Sequence, residues 1–312
     1  MKPKILVIPD VPGWALERAA DNVIQRLSHL FEFEKAFNLN AEEKIREGNF
    51  DLLYLTDFPQ VKQAGLIKVK LPKNTITGIR CHVKWDEGQG LPPSSETIEF
   101  LQQFKALNVP SLILCDIFKN LHPSLFPTPH GVDHHLFHPR PGGPVFSPPG
   151  KLILGWAGSR TNHPGKRGIE DFILPALEGL SGVTFKMADR ETFWRTHKEM
   201  VPFYQGLDAY ICASRTEGGP HPILEASACG VPVISTRVGV APELIEDGIN
   251  GILIERAIPA IREAVIHLRD KQDARIEMGK QARKTIEANW TWDTQAHKYI
   301  PFFQCGLEGT KG

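Results

Sequence analysis

The stretch from Ala209 to Ser235 constrains this chain most. An apolar run, Ala209-Tyr-Ile-Cys-Ala213, is followed by a Gly-Gly-Pro turn at 218–220, a helix-compatible stretch from Ile223 to Cys229, and a second apolar run, Val231-Pro-Val-Ile-Ser235. Short apolar runs bounded by Gly and Pro read as strands buried on both faces. Two such strands joined through a helix form a βαβ unit, which sets them parallel in one sheet. An acidic residue, Glu217, then falls at the carboxyl end of a strand. Open parallel α/β sheets bind ligands at that edge.

The residues of this turn suggest a ligand class. Gly218 and Gly219 lack Cβ, so the backbone can turn tightly and come close to a bound molecule. Pro220 and Pro222 preset the entry into the helix. A helix start offers N–H groups and partial positive charge to an anion, most often a phosphate. A carboxylate repels phosphate but accepts from hydroxyls. Glu217 and Glu225, with seven residues between them, suit a ligand with a phosphate core and hydroxyl-rich groups on both sides. A nucleotide sugar fits that description. Taken alone, Glu217 reads equally as a surface loop residue, and Glu225 as a helix-start charge favoured by the dipole.

The segment SRTEGGPHPILEASACGVPVIST, 214–236, resembles the E-x7-E motif of retaining glycosyltransferases of family 4 (glycosyltransferases group 1). That resemblance implies an α/β chain of GT-B fold: two Rossmann-like, doubly wound domains facing a cleft, with a C-terminal helix crossing back to the first domain. It implies that Glu217 meets donor sugar hydroxyls and that Glu225 holds the nucleotide ribose. It also implies that amides near Gly218 and Gly219 meet the sugar or diphosphate. Upstream, Leu152-Ile-Leu-Gly-Trp-Ala-Gly158 is an apolar run ending in a glycine turn, followed by Arg160 and Lys166, with Arg167 and Gly168 next. The family carries an Arg and a Lys here that neutralise the donor diphosphate, and fixed cations stabilise a leaving group that gains charge. The 130–139 stretch, HGVDHHLFHP, resembles the family's interdomain motif, with His130 where Asn is common. Asn289-Trp-Thr-Trp292 resembles the start of the closing helix. Val240 stands where the family often has a second glycine. The resemblance is good from 130 to about 305 and weaker before it.

Composition fits two domains without a nucleic-acid partner. A single core is near its practical limit at 312 residues, so two are expected. Lys plus Arg balances Asp plus Glu at 36 each, and there is no strongly basic character. Five scattered cysteines, Cys81, Cys115, Cys212, Cys229 and Cys305, form no C-x-x-C pair. Cys115 and Cys212, in apolar strand-like runs, read as core residues of a reducing compartment. No apolar run approaches the ~20 residues of a spanning helix, and Ile5–Ile8 is too short for a signal-peptide core. A cytoplasmic protein is expected, with peripheral contact at the inner face of the membrane as a further reading.

Strand-like runs alternate with helical ones along the chain. In the first half, strands are expected at Ile5–Ile8, Phe31–Phe37, Asp51–Leu55, Thr75–Arg80 and Ser111–Cys115, with helices at 14–30 and 94–107. In the second half, strands are expected at 152–158, 183–187, 209–213, 231–235 and 250–254. Helices there are expected at about 168–180, 197–206, 223–229, 257–269 and 272–288. The Pro/Gly-rich stretch 139–150 reads as a linker. The expected domains are 1–140 for the acceptor, 141–290 for the nucleotide-sugar donor, and 291–312 as the returning helix.

The first domain offers fewer signals. By the resemblance, Gly13 supplies the glycine loop after the first strand, and His82 is the candidate for a His facing the donor sugar. Asp57 stands at another strand end. His130, His134, His135 and His138 cluster within nine residues, but without an H-E-x-x-H or a nearby Cys no metal site is expected. Lys62, Lys68, Lys70 and Lys73 alternate with apolar residues and suit either a solvated face or an anionic membrane surface. Gly155 and Gly158 do not complete G-x-G-x-x-G, which disfavours a dinucleotide oxidoreductase.

The expected function is a retaining sugar transfer from a nucleoside diphosphate sugar to the hydroxyl of a glycan, lipid or small-molecule acceptor. The catalytic set is Glu217, Arg160, Lys166 and His82. The nucleotide-sugar set is Glu225, Gly218, Gly219, Gly158 and Gly13. No cofactor or divalent metal is expected, since Lys and Arg supply the charge and the chain has no D-x-D. The alternatives are an epimerase of the same fold, or a non-catalytic nucleotide-sugar-binding subunit that needs a partner.

Overall fold

The computed structural model describes residues 1–63, 66, 70–81, 93–144, 146–161, 165–193 and 195–309. The chain forms two compact units, one of residues 1–131 with 292–312 and the other of residues 132–291.

Among the described residues, the first unit holds a six-stranded sheet. Its strands are β1 (Lys4–Ile8), β2 (Glu32–Lys35), β3 (Leu52–Leu55), β4 (Thr75–Gly78), β5 (Leu107–Val109) and β6 (Leu125–Pro127), in the order β2-β1-β3-β4-β5-β6. All neighbours are parallel, with Ile5 opposite Leu52 and Leu53 opposite Thr75. The apolar strands serve two cores at once, because successive side chains leave opposite faces. Leu6, Ile8, Leu53 and Leu55 enter one core. Ile5, Val7, Leu52 and Tyr54 enter the other, with α1 (Ala15–Leu27) and the aromatic residues Phe302 and Phe303 of the C-terminal helix.

Further helices of this unit are α2 (Ala41–Glu47), α3 (Ser95–Leu101) and α4 (Leu112–Phe118). The expected strand at 111–115 is therefore a helix, and the strand lies earlier, at Leu107–Val109. Pro110 cannot donate to a ladder, and the Ser111 hydroxyl accepts from the Leu114 amide as an N-cap. An apolar run of five carries no period that separates strand from buried helix. Cys115 accordingly sits on a helix and is half-buried.

The second unit repeats the architecture with five strands among the described residues. These are β7 (Leu152–Gly158), β8 (Val183–Asp189), β9 (Ala209–Cys212), β10 (Val233–Thr236) and β11 (Gly251–Ile254), in the order β11-β10-β9-β7-β8, all parallel. The order reverses between β7 and β9, which in doubly wound sheets marks the ligand-binding crevice. Its helices are α5 (His197–Gln205), α6 (His221–Ala228), α7 (Ile258–Asp270) and α8 (Gln272–Asn289). The expected helix at about 168–180 is present as a π-helix, Ile169–Ile173, running into a short α-helix, Leu174–Leu177.

The Pro/Gly-rich stretch 139–150 belongs to the second unit. The Ser147 amide donates to Asp208 at 2.7 Å, and the buried Arg275 of α8 donates to the carbonyls of Ser147 and Lys151. The chain passes between units at Gly131 and Val132 and returns at Trp292, so the C-terminal helix α9 (Tyr299–Leu307) is part of the first unit. Residues 131–138 are not helical, so His134 and His138 do not share a helix face. Instead the His134 and His135 rings lie 4.0 Å apart. Among the described residues no helix is long and apolar enough to cross a membrane. Of the basic stretch, Lys68 lies outside the described residues, Lys70 and Lys73 are exposed, and Leu66 is buried.

Candidate active site

The turn after β9 is built by short polar contacts. The Thr236 hydroxyl at the end of β10 donates to the Ser214 carbonyl at 2.7 Å, tying the two strand ends together. The Ser214 hydroxyl donates to Glu217 Oε1 at 2.8 Å. Arg167 forms an ion pair with the same oxygen. Glu217 is only 8% exposed. A carboxylate this buried needs a cation and donors to stay charged, and it has both.

Arg167 reaches Glu217 because the loop after β7 is stitched to the end of β9. The Arg215 amide donates to the Lys166 carbonyl at 2.8 Å. The Arg256 guanidinium donates to Ala213 O at 3.0 Å and Gly165 O at 2.7 Å, and it lies 4.2 Å from the Phe172 ring centroid. Burial, then the nearby Arg215, lowers the Arg256 pKa from its ordinary value. Gly168 completes the loop at φ +72°, where a Cβ would stand 2.5 Å from the Ala213 carbonyl oxygen. Lys166 is itself buried. On the other side, Gly239 at φ +52° backs the Gly218 carbonyl, 2.5 Å from where its Cβ would be. Its neighbour Val240 is buried.

Glu225 lies on α6, buried to 6% exposure. Its Oε2 accepts from the Tyr204 hydroxyl at 2.7 Å, and its Oε1 stands 3.5 Å from His197 Nε2. Burial, reinforced by the Glu225 charge, raises the Tyr204 pKa well above its ordinary value. The same two causes push the Cys229 thiol up to about 12.

Arg160 occupies a different neighbourhood. Its guanidinium donates twice to Glu170, at 2.9 and 2.7 Å, and lies 3.8 Å from Asp189. The Glu170 hydrogen bond raises its pKa. The Ser159 hydroxyl, the Arg160 amide and the Thr161 hydroxyl all donate to the Glu191 carboxylate. Gly158, at the end of β7, pairs in register with Asp189 and accepts from the Arg190 amide at 2.9 Å.

The remaining candidates are in the first unit. Gly13 turns at φ +79°, and its amide donates to Glu17. Asp57 is buried, with its amide donating to Gln60 Oε1 at 2.7 Å. His82 lies outside the described residues.

The structure thus joins Glu217 with Ser214, Arg167 and the Gly218 turn, and joins Glu225 with Tyr204 and His197. Arg167 was visible as a neighbour of Lys166, but nothing in the sequence separates the two cations. Tyr204 and His197 left no sequence signal, since their link to Glu225 is made by packing.

Residues 191–285 match the family model described as Glycosyl transferases group 1. Over 128 residues the chain is 32% identical to the GDP-mannose-dependent alpha-(1-6)-phosphatidylinositol monomannoside mannosyltransferase of Mycobacterium tuberculosis, covering 38% of this chain and 33% of that protein. It is 30% identical over 116 residues to the monoacylated-substrate counterpart of Corynebacterium glutamicum, covering 35% and 30%. The chain therefore matches about a third of the length of these curated relatives. In fold it resembles sucrose-phosphate synthase from Thermosynechococcus elongatus, with TM-score 0.72, 14% identity, and coverage of 97% and 98%. It also resembles Anabaena HepE in complex with UDP and glucose, with TM-score 0.71, 14% identity, and coverage of 97% and 99%. Sequence match and fold agree: residues 191–285 are similar to the glycosyl transferases group 1, and the chain has the GT-B fold.

Proposed function

We propose that this protein is a retaining, metal-independent glycosyltransferase that moves a sugar from a nucleoside diphosphate sugar to an acceptor hydroxyl. The observation that carries the reading is the Glu217 carboxylate, held by Ser214 and Arg167 where the strand order reverses. Its remaining lone pairs suit sugar hydroxyls. Among the described residues, the buried Arg167 Nε–H has no hydrogen-bond partner. A buried unpaired donor costs about 1–3 kcal/mol, and an anionic ligand relieves that cost.

In this reading Lys166 and Arg167 stabilise the departing diphosphate. The gain is large because the cations are fixed before charge develops. Arg160 joins them only by leaving Glu170. Glu217 orients the donor sugar through an oxocarbenium-like transition state, and the acceptor hydroxyl attacks from the face the diphosphate leaves. The acceptor is a glycan, a lipid-linked group or a small molecule, and the protein works in the cytoplasm or at the inner membrane face. The named relatives support a nucleotide-sugar donor: one is GDP-mannose-dependent, and HepE was crystallised with UDP and glucose.

The test is a transfer assay with UDP-, GDP- and ADP-sugars against a panel of acceptors, with the product anomer read by NMR. The expected result is transfer with retained configuration, lost in Glu217→Ala and Lys166→Ala variants that still fold. Inverted product, or full activity in either variant, contradicts the reading.

A further inference from the structure

We propose that Tyr204 is a positioning residue for Glu225, fixing which carboxylate oxygen meets the ribose, and that His197 stands beside that oxygen. The inference rests on the donor-site reading above.

Tyr204 is fully buried, and its hydroxyl donates to Glu225 Oε2 at 2.7 Å. That bond anchors one oxygen of the carboxylate and fixes the plane of the group. Tyr204 cannot swing away, because its ring is packed edge-on by Phe137 at 5.9 Å, Phe203 at 5.4 Å and Tyr210 at 6.0 Å. Oε1 is left facing His197 Nε2 at 3.5 Å. The His197 side chain keeps 29% exposure, and its ring also rests edge-on against Phe137, at 5.5 Å. One buried phenyl ring thus orients both groups that flank Glu225. A ribose diol approaching from the exposed side meets Oε1 as acceptor and the imidazole as its neighbour. A carboxylate free to rotate would lose part of this contact to the entropy of ordering it.

The experiment compares binding of nucleoside diphosphates and their 2′,3′-dideoxy analogues to wild type, Tyr204→Phe and Tyr210→Phe by calorimetry. Tyr204→Phe keeps the ring and removes the hydroxyl. The Tyr210 hydroxyl bonds the Ala157 backbone and not Glu225, so Tyr210→Phe controls for loss of a buried hydroxyl. Wild type is expected to prefer the ribose form. In Tyr204→Phe that preference should fall about 10- to 150-fold, the scale of one hydrogen bond to a charged group. Affinity for the dideoxy form should be unchanged, and Tyr210→Phe should keep the wild-type preference. A merely structural Tyr204 would weaken both ligands alike. A double cycle with Glu225→Gln should show that the two substitutions are not additive in this preference; additivity overturns the proposal. A wild-type preference that survives intact in Tyr204→Phe overturns this inference alone. Wild type that binds no nucleoside diphosphate overturns the donor reading and this inference with it.

Discussion

Arg167 and Glu217 form an ion pair at the carboxyl end of β9, on the loop that follows the reversal of strand order. The pair explains how a carboxylate remains charged while only 8% exposed. It also places a cation against the group proposed to hold the donor sugar. Breaking a buried pair by removing one partner costs about 3–5 kcal/mol, because the other charge is left uncompensated.

The two arginines after β7 should therefore differ in weight. Arg160 is committed to Glu170 and lies near Asp189, whereas Arg167 touches Glu217. Arg167→Ala is expected to lower kcat by about 100- to 1,000-fold, as loss of a fixed transition-state stabiliser does. Arg160→Ala should cost at least tenfold less, on the order of one ordinary hydrogen bond. Steady-state kinetics on both variants check this, and the reverse order would move the phosphate-binding role to Arg160.

Glu217→Gln separates charge from shape. The amide keeps the size of the side chain and an oxygen for Ser214, but it leaves Arg167 without its counter-ion. Transfer should fall by at least 100-fold, with KM for the donor changed far less, if the carboxylate acts mainly in the transition state. A pure KM effect would assign Glu217 to ground-state binding.

Gly168 is expected to resist any side chain. At φ +72° with the Ala213 carbonyl 2.5 Å from a would-be Cβ, Gly168→Ala combines left-handed strain with a backbone clash. The loss should be about 1–3 kcal/mol in denaturant titration, accompanied by loss of activity as the Arg167 loop shifts. Gly13→Ala makes a contrast: nothing lies within 4 Å of its Cβ, so only the cost of positive φ applies.

Alkali should loosen the α5–α6 contact. Burial and Glu225 push the Cys229 thiol from an ordinary 9.0 to about 12, and raise the Tyr204 phenol well above 10.0. A folded pKa above the unfolded one means that the native state holds its proton more tightly. The resulting stability is complete below pH 9 and is lost as pH rises toward 12. Denaturant midpoints at pH 7.5 and 10.5 should show a drop in wild type that is smaller in Tyr204→Phe. Equal drops would remove Tyr204 from the cause.

The sequence made much of this site legible, for physical reasons. Glu217, the Gly218-Gly219 turn and Glu225 are close in the chain, so their spacing alone indicates a strand end, a turn and a helix. Strands β1, β3 and β9 are apolar on both faces, and so they stood out as short bounded runs. What stayed hidden depends on contacts between distant residues. Lys166 and Arg167 are adjacent, and their directions are set by Gly168 and by Arg256, far along the chain. Arg160 turns toward Glu170 because that carboxylate sits on the following π-helix. Tyr204 finds Glu225 across 21 residues through the ring of Phe137. The strand expected at 111–115 failed for a local reason, a Ser cap after Pro110 on a run with no period.

The most direct test of the donor site is nucleotide binding by the purified protein and by Glu225→Ala, followed by thermal unfolding with UDP, GDP and ADP. One of the three should stabilise wild type, by about 2.7 kcal/mol at a hundredfold excess over its dissociation constant, and the shift should vanish in Glu225→Ala. No shift with any of the three, or an equal shift in the variant, would contradict a nucleotide site at Glu225.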